Sequence, residues 1–169
     1  QLNEVVNLGV TLNDKEMIYI DRVDTTSHIL TTRIHVGDRR PIHMNSIGRV
    51  IMAFLPEQNL EKILDGISFD QYPSRTFRSK TDLMKQLKKI RRQGYYAGRS
   101  ESFEGIYSVA VPVLDDQQMA VAGINVVIPT SRLSKDDIRA RYLPLLVETA
   151  QGISRTVGNT KLKRLTKPK

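Results

Sequence analysis

The stretch Ile106–Ile128, IYSVAVPVLDDQQMAVAGINVVI, places two apolar runs on either side of the polar tetrad Asp115 to Gln118 and reads as a β-hairpin. A reversal centred between Asp116 and Gln117 sets Ser108 opposite Asn125. Successive Cβ atoms point to opposite sides of a strand, so the hairpin sorts into two faces. One carries Tyr107, Val109, Val111 and Val113 against Val126, Ile124, Ala122 and Ala120, and is a core face. The other carries Ile106, Ser108, Ala110 and Pro112 against Val127, Asn125, Gly123 and Val121, and is smaller, more broken and polar at its centre. Ser108 and Asn125 are then either partly solvated residues of an outward face, or a covered pair that needs hydrogen-bond partners and can orient a small ligand.

Upstream, Asn7 to Asn13 and Met17 to Asp24 are strand-like, with Asp14 and Lys15 at the turn of an opening hairpin. Ile29 to Val36 is rich in β-branched residues, ends at Gly37 and predicts a third strand. Asn45 or Ser46 caps a helix through Leu55, and Pro56 starts the next, which carries Leu60, Ile63 and Leu64 and stops at Gly66. Ile67 to Arg78 reads as a loop. Ser79 with Asp82 resembles a capping box, opening a helix to Gln93 with Gly94 as its C′ residue. Tyr95 to Arg99 is a strand and Ser100 to Gly105 a polar loop into the central hairpin. Beyond Pro129, Ser134 with Asp136 and Asp137 starts a final helix to about Val157, kinked or divided by Pro144. Strands joined by hairpins rather than by regular βα alternation predict an α+β fold, an antiparallel sheet with helices packed on its faces.

The 169 residues suffice for one domain with a real core, and 40% apolar with 26% charged residues is ordinary globular composition. The absence of Cys excludes disulfides, thiolate nucleophiles and thiolate metal sites. No apolar run approaches the roughly 18 residues of a membrane span, and no signal-peptide pattern opens the sequence, so a cytoplasmic protein without a membrane partner is expected. The net charge is +8, but Lys161, Lys163, Arg164, Lys167 and Lys169 supply five of those charges in the last nine residues, leaving +3 elsewhere. A second basic cluster, Lys85, Lys88, Lys89, Arg91 and Arg92, lies on the polar side of the helix that carries Leu83, Leu87 and Ile90, the pattern of a solvated face. No recognition helix, zinc finger or RNA-binding aromatic signature is present.

Chemistry is sparse. His28, His35 and His43 lack zinc spacing, and no nucleophile elbow, P-loop or dinucleotide fingerprint occurs. Asp115–Asp116 and Asp136–Asp137 have turn and helix-start explanations. Catalysis is unsupported, and no cofactor or metal is called for. The helix start after Pro41-Ile42-His43, with Ser46 and Gly48 in its first turn, either offers free amides to a carboxylate or is an ordinary capped helix.

Val36-Gly37-Asp38-Arg39-Arg40-Pro41-Ile42-His43, then Gly48-Arg49 and Ala53-Phe54-Leu55-Pro56, resembles the signature of the effector-binding domain of IclR-family transcriptional regulators. Gly94-Tyr95, Glu101, Gly105, Ser108-Val109-Ala110-Val111-Pro112-Val113, and Pro129 with Ser131-Arg132 continue it in order, over essentially the whole chain to about Gly158. The resemblance implies a GAF-like sensor domain over residues 1–158, a disordered basic tail over 159–169, and a winged helix-turn-helix domain and linker that precede such a sensor and are absent here, with Gln1 to Val5 as a remnant of the linker. It implies ligand contacts from Ser46, Ile47 and Gly48, from Gly98, Arg99, Glu101, Ile106 and Ser108, and from Asn125 and Val127. Two departures stand out: Gly98 and Arg99 replace acidic residues common in the family, and Arg49 replaces the usual Lys. The Ser108 and Asn125 combination is similar to the branch that senses aromatic acids.

The expected function is therefore sensing of a small organic carboxylate, aromatic acids among the candidates. The expected partners are this effector, further copies of the chain as a dimer or tetramer, and operator DNA only through the missing N-terminal domain. The alternative is a domain that mainly oligomerises, with a vestigial or protein-binding pocket. An enzyme ranks last.

Overall fold

The computed structural model describes residues 2–25, 34–69, 77–101 and 103–157. Six strands form one antiparallel sheet: β1 (Val5–Thr11), β2 (Glu16–Val23), β3 (Arg39–Pro41), β4 (Tyr96–Arg99), β5 (Ile106–Leu114) and β6 (Ala120–Pro129), in the order β3-β2-β1-β6-β5-β4. Helices α1 (Ser46–Ala53), α2 (Glu57–Asp65) and α3 (Lys80–Gln93) belong to the core on one face, and α5 (Leu143–Val157) covers β5 and β6 on the other. The expected α+β class and antiparallel sheet are what the chain forms.

Local chemistry accounts for most boundaries. The opening hairpin turns on Asn13, whose Oδ1 accepts from the amides of Lys15 and Glu16 at 2.8 and 2.9 Å. Ser79 Oγ accepts from the Asp82 amide at 3.2 Å, starting α3, and Gly94 ends it in the left-handed region at φ +84°. The cap of α1 is Asn45 and not Ser46, because Asn45 Oδ1 accepts from the Ile47 amide at 2.8 Å, and the helix ends at Ala53, two residues before the expected Leu55. As expected, Pro144 stands where the last helix is divided. Its missing N–H is absorbed by a π-helical turn, Ile138–Tyr142, between the short α4 (Lys135–Asp137) and α5, with the Leu143 amide donating to the Ile138 carbonyl.

Two corrections concern the sheet. The third strand is Arg39–Pro41. Of the expected strand Ile29–Val36, residues 29–33 lie outside the described residues, and Ile34 to Val36 are not strand. The expected loop at 70–76, His28 and the tail from residue 158 also lie outside them. In the hairpin, Ser108 faces Val127 and Ala110 faces Asn125. The loop closes one step later than a symmetric tetrad would, with the Asp115 amide donating to the Met119 carbonyl at 2.9 Å, and the register then shifts between Val113 and Leu114, leaving Val121 unpaired in β6. The bulge moves Ala120 to the α1 side and exposes Val121, so neither lies on the face its number predicts. From Tyr107 to Val113 and from Ala122 to Ile128 the two faces sort as the alternation requires.

α1 lies on β1 and β6 at unusually short range. Gly9 and Gly123 pair across those strands beneath it, and a Cβ at Gly123 would lie 2.9 Å from Ile47 Cγ2 and 3.0 Å from Val50 Cγ2. Gly48 is pressed against the 3-10 turn Ile42–Met44, where an added Cβ would stand 1.9 Å from the Ile42 carbonyl oxygen. Close docking of this helix is what brings Ser46 down to the sheet.

Candidate ligand-binding site

A cavity of about 30 Å³, enough for roughly two water molecules, lies among the start of α1, the β4–β5 end of the sheet and the middle of β6. Ser46, Ser108 and Asn125 meet there from three different elements. The two hydroxyls are 2.8 Å apart, and Asn125 Nδ2 donates to Ser46 Oγ at 2.9 Å and to Ser108 Oγ at 3.2 Å. Asn125 Oδ1 accepts from Nδ2 of Asn7, its partner across the β1–β6 ladder, at 2.8 Å. Asn7, Ser108 and Asn125 are all at most 5% exposed, so burial demands these bonds. Met44, Phe103, Ile106 and Val127 supply apolar lining.

Beside this cluster Arg49 is fully buried and fully committed. Its Nη2 pairs with Glu101 at 3.1 Å, Nη1 donates to the Tyr96 hydroxyl at 3.2 Å and Nε to the His43 carbonyl at 2.7 Å. The guanidinium also stands 4.7 Å from the Phe77 ring centre and 5.3 Å from that of Tyr96. Burial first, and the Arg49 charge second, hold the His43 imidazole down at a pKa of about 4. The Tyr19 and Tyr96 phenols are pushed up, burial being the largest cause in both.

Of the ten residues expected to contact a ligand, Ser46, Arg99, Glu101, Ile106, Ser108, Asn125 and Val127 line this cavity. Ile47 and Gly48 do not: the first is wholly buried in the core and the second packs on Ile42. The Ile47 amide is taken by Asn45 Oδ1. Gly98 faces Ser108 in the ladder but sits under Tyr96, whose hydroxyl a Cβ there would approach to 2.5 Å. Arg99 pairs with Tyr107, and strand alternation assigns its exposed side chain to the opposite face from Ser108. Sequence reasoning missed Tyr19, Arg40, Asn45 and Tyr96 as cavity residues. Arg40 lies in a three-residue strand, paired with the fully buried Met17, and nothing in the local sequence marks that placement.

Among the described residues no group of three His, Asp or Glu could hold a metal ion, and no helix is long and apolar enough to cross a membrane. The basic side chains of α3, Lys85, Lys88, Lys89, Arg91 and Arg92, are exposed, and Arg91 also caps the Ala53 carbonyl at 3.0 Å.

Comparison with known proteins gives a consistent set of similarities. The family model described as bacterial transcriptional regulator IclR C-terminal matches residues 1–155. The HTH-type transcriptional regulator KdgR of Dickeya chrysanthemi is 32% identical over 92% of the chain and 50% of its own length. The crystal structure of the C-terminal domain of Escherichia coli KdgR superposes with a TM-score of 0.79 at 29% identity, covering 92% of this chain and 88% of that one. An inducer-binding domain of the PobR transcription factor from Acinetobacter, a double mutant in complex with 3-hydroxybenzoic acid, superposes with a TM-score of 0.78 over 90% of this chain and 93% of that one; at 23% identity it shows the shared fold alone. The chain spans about half the length of the curated relatives it matches.

Proposed function

The chain belongs to the IclR family of bacterial transcriptional regulators, matching its C-terminal domain, and from that premise we propose that it is the effector-sensing part of such a regulator, with the effector, a small organic carboxylate, held in the Ser46–Ser108–Asn125 cavity. The observation that carries this reading is the convergence of three polar side chains from α1, β5 and β6 on one partly apolar cavity. A core needs no such group, whereas a pocket uses a few fixed polar atoms to orient its ligand and apolar walls for affinity. In this reading DNA contact belongs to a winged helix-turn-helix part of the regulator, and self-association as a dimer or tetramer sets the spacing of paired DNA-binding parts. The exposed cations of α3 then give at most weak, salt-sensitive binding.

The cavity's small volume of about 30 Å³ favours a second reading, an oligomerisation domain with a vestigial pocket. A thermal-shift screen of aromatic and aliphatic carboxylates separates the two. A true effector present at 100 times its Kd stabilises the fold by about 2.7 kcal/mol, and Val127→Phe, which fills the cavity, removes that gain. A panel that leaves the melting temperature unmoved favours the second reading.

A further inference from the structure

The helix α3 carries a basic face that the ligand cavity does not use. Its sequence, KTDLMKQLKKIRRQ, holds six cations and a single acid, Asp82, in the first turn. Lys85, Lys88, Lys89 and Arg92 fall in one sector of about 100° around the helix, opposite the buried Leu83, Leu87 and Ile90. All four are exposed, along about 10 Å of helix. α3 packs on α1 and has its apolar side in the core, so this stripe faces outward.

Ion pairs hold Arg22, Arg40, Arg49, Lys80 and Arg132, and Arg91 donates to the Ala53 carbonyl. Among the described residues no acid pairs with Lys85, Lys88, Lys89 or Arg92. Instead Lys85 stands four residues before Lys89, and Lys88 four before Arg92, like-charge spacings that weaken a helix. The fold gains nothing from them.

The chemistry selects the partner. A protein interface is built on apolar and aromatic anchors and is poor in Lys, and a helix that enters a bilayer needs an apolar side to insert. None of the large exposed apolar side chains among the described residues lies on α3. A phosphate backbone asks only for unpaired positive charge, which three lysines and an arginine supply without regard to base sequence.

Resting on the regulator reading above, we propose that the Lys85–Arg92 face of α3 is a second, sequence-independent contact for the DNA phosphate backbone. The contact is weak by itself. In a regulator held on its operator by a winged helix-turn-helix part it becomes intramolecular, and a weak contact then adds to the affinity of the whole.

Fluorescence anisotropy of the full chain with a labelled duplex of arbitrary sequence, titrated at several potassium chloride concentrations, tests this. Each phosphate contact contributes about −0.9 to the slope of log K against log salt. Lys85→Gln, Lys88→Gln, Lys89→Gln and Arg92→Gln made together therefore make the slope shallower by about 3 and weaken binding at low salt by about tenfold or more. A scrambled duplex behaves as the first one does. The melting temperature holds or rises, since like charges have gone. Changing Lys161, Lys163, Arg164, Lys167 and Lys169 to Gln leaves that stripe-dependent drop in place. The proposal is overturned by a parent that binds no duplex, by a stripe variant whose slope changes by less than about 1, or by a tail variant on which the stripe no longer matters. It is also overturned by poly-L-glutamate that displaces the labelled duplex as well as unlabelled duplex of equal charge does, which assigns the face to an acidic protein. The carboxylate screen is independent: the stripe variant responds to it as the parent does, and a screen without a hit leaves the salt slopes unaffected.

Discussion

On the α5 side of the central hairpin, Val109, Val111, Val113, Ile124, Val126 and Ile128 are buried with no polar side-chain atom among them. On the α1 side the same two strands present Ser108, Ala110, Gly123 and Asn125, and the helix above contributes Ser46. Both faces are covered, so the contrast does not come from solvent. It comes from what the covering helix meets: α5 meets branched side chains, whereas α1 meets glycine and alanine, comes close, and leaves a polar cluster with a cavity beside it. One sheet thus separates a layer devoted to stability from a layer that can bind.

Neighbouring residues sharpen this contrast most. Ile128 is wholly buried on the α5 side, so Ile128→Ala is expected to cost about 2–5 kcal/mol, the transfer loss plus the cavity left behind. Val127, one residue away, already borders a void, so it has fewer contacts to lose, and Val127→Ala should cost only about 1 kcal/mol. Urea unfolding of the two variants measures the difference, and costs in proportion to the carbons removed, three from Ile128 and two from Val127, would mean that the two faces are packed alike.

The same contrast explains what the sequence made legible. Period-two alternation in Tyr107 to Val113 and Ala122 to Ile128 identifies both faces without any knowledge of partners. It cannot locate Val121, because a bulge is a choice between two registers that local composition leaves nearly equal. Ser108 and Asn125 are legible as residues but not as a facing pair: they meet diagonally, by a direct 3.2 Å bond, and both also bond to Ser46 of a helix far off in sequence. Arg40 was hidden for a related reason, since a three-residue edge strand has too few positions to show an alternation. Arg49 could be read as a departure from a family pattern, but its burial depends on Glu101, Tyr96 and His43 arriving from three places.

Acid should also act on the α1 side. His43 is buried there, and its pKa is held down to about 4 by burial and then by Arg49. An unfolded histidine titrates near 6.5. Above that pH neither state is protonated and this stability is complete. As pH falls from about 6.5 to about 4 the unfolded chain gains a proton that the folded chain refuses, so stability drops, by about 3 kcal/mol in all. Denaturation of the parent and of His43→Gln at pH 7.5, 5.5 and 4 isolates this component, because the carboxylates are common to both. Parallel pH profiles would show that His43 takes up its proton in the folded state as readily as in the unfolded one.

The smallest expected effect concerns how far the polar layer extends. Asn7 and Asn125 face each other across the β1–β6 ladder, are 1% and 3% exposed, and are joined by a 2.8 Å bond from Nδ2 of the first to Oδ1 of the second. Replacing either by Leu, nearly its apolar isostere, strands the other's polar group in the interior, and each single change should cost about 1–3 kcal/mol. Replacing both removes the pair together, so the double variant should fall short of the summed single costs by about 1–2 kcal/mol. The serines limit what Asn125→Leu alone can do: when it removes their shared donor, Ser46 and Ser108 can still bond to each other. That same loss makes Asn125→Leu a poor probe of ligand contact, since it disturbs the fold and the site at once, and Ser108→Ala is the cleaner variant. A coupling near zero in chemical denaturation would mean that the Asn7 contact carries no energy and that the polar layer stops at β6, confined to the cavity itself.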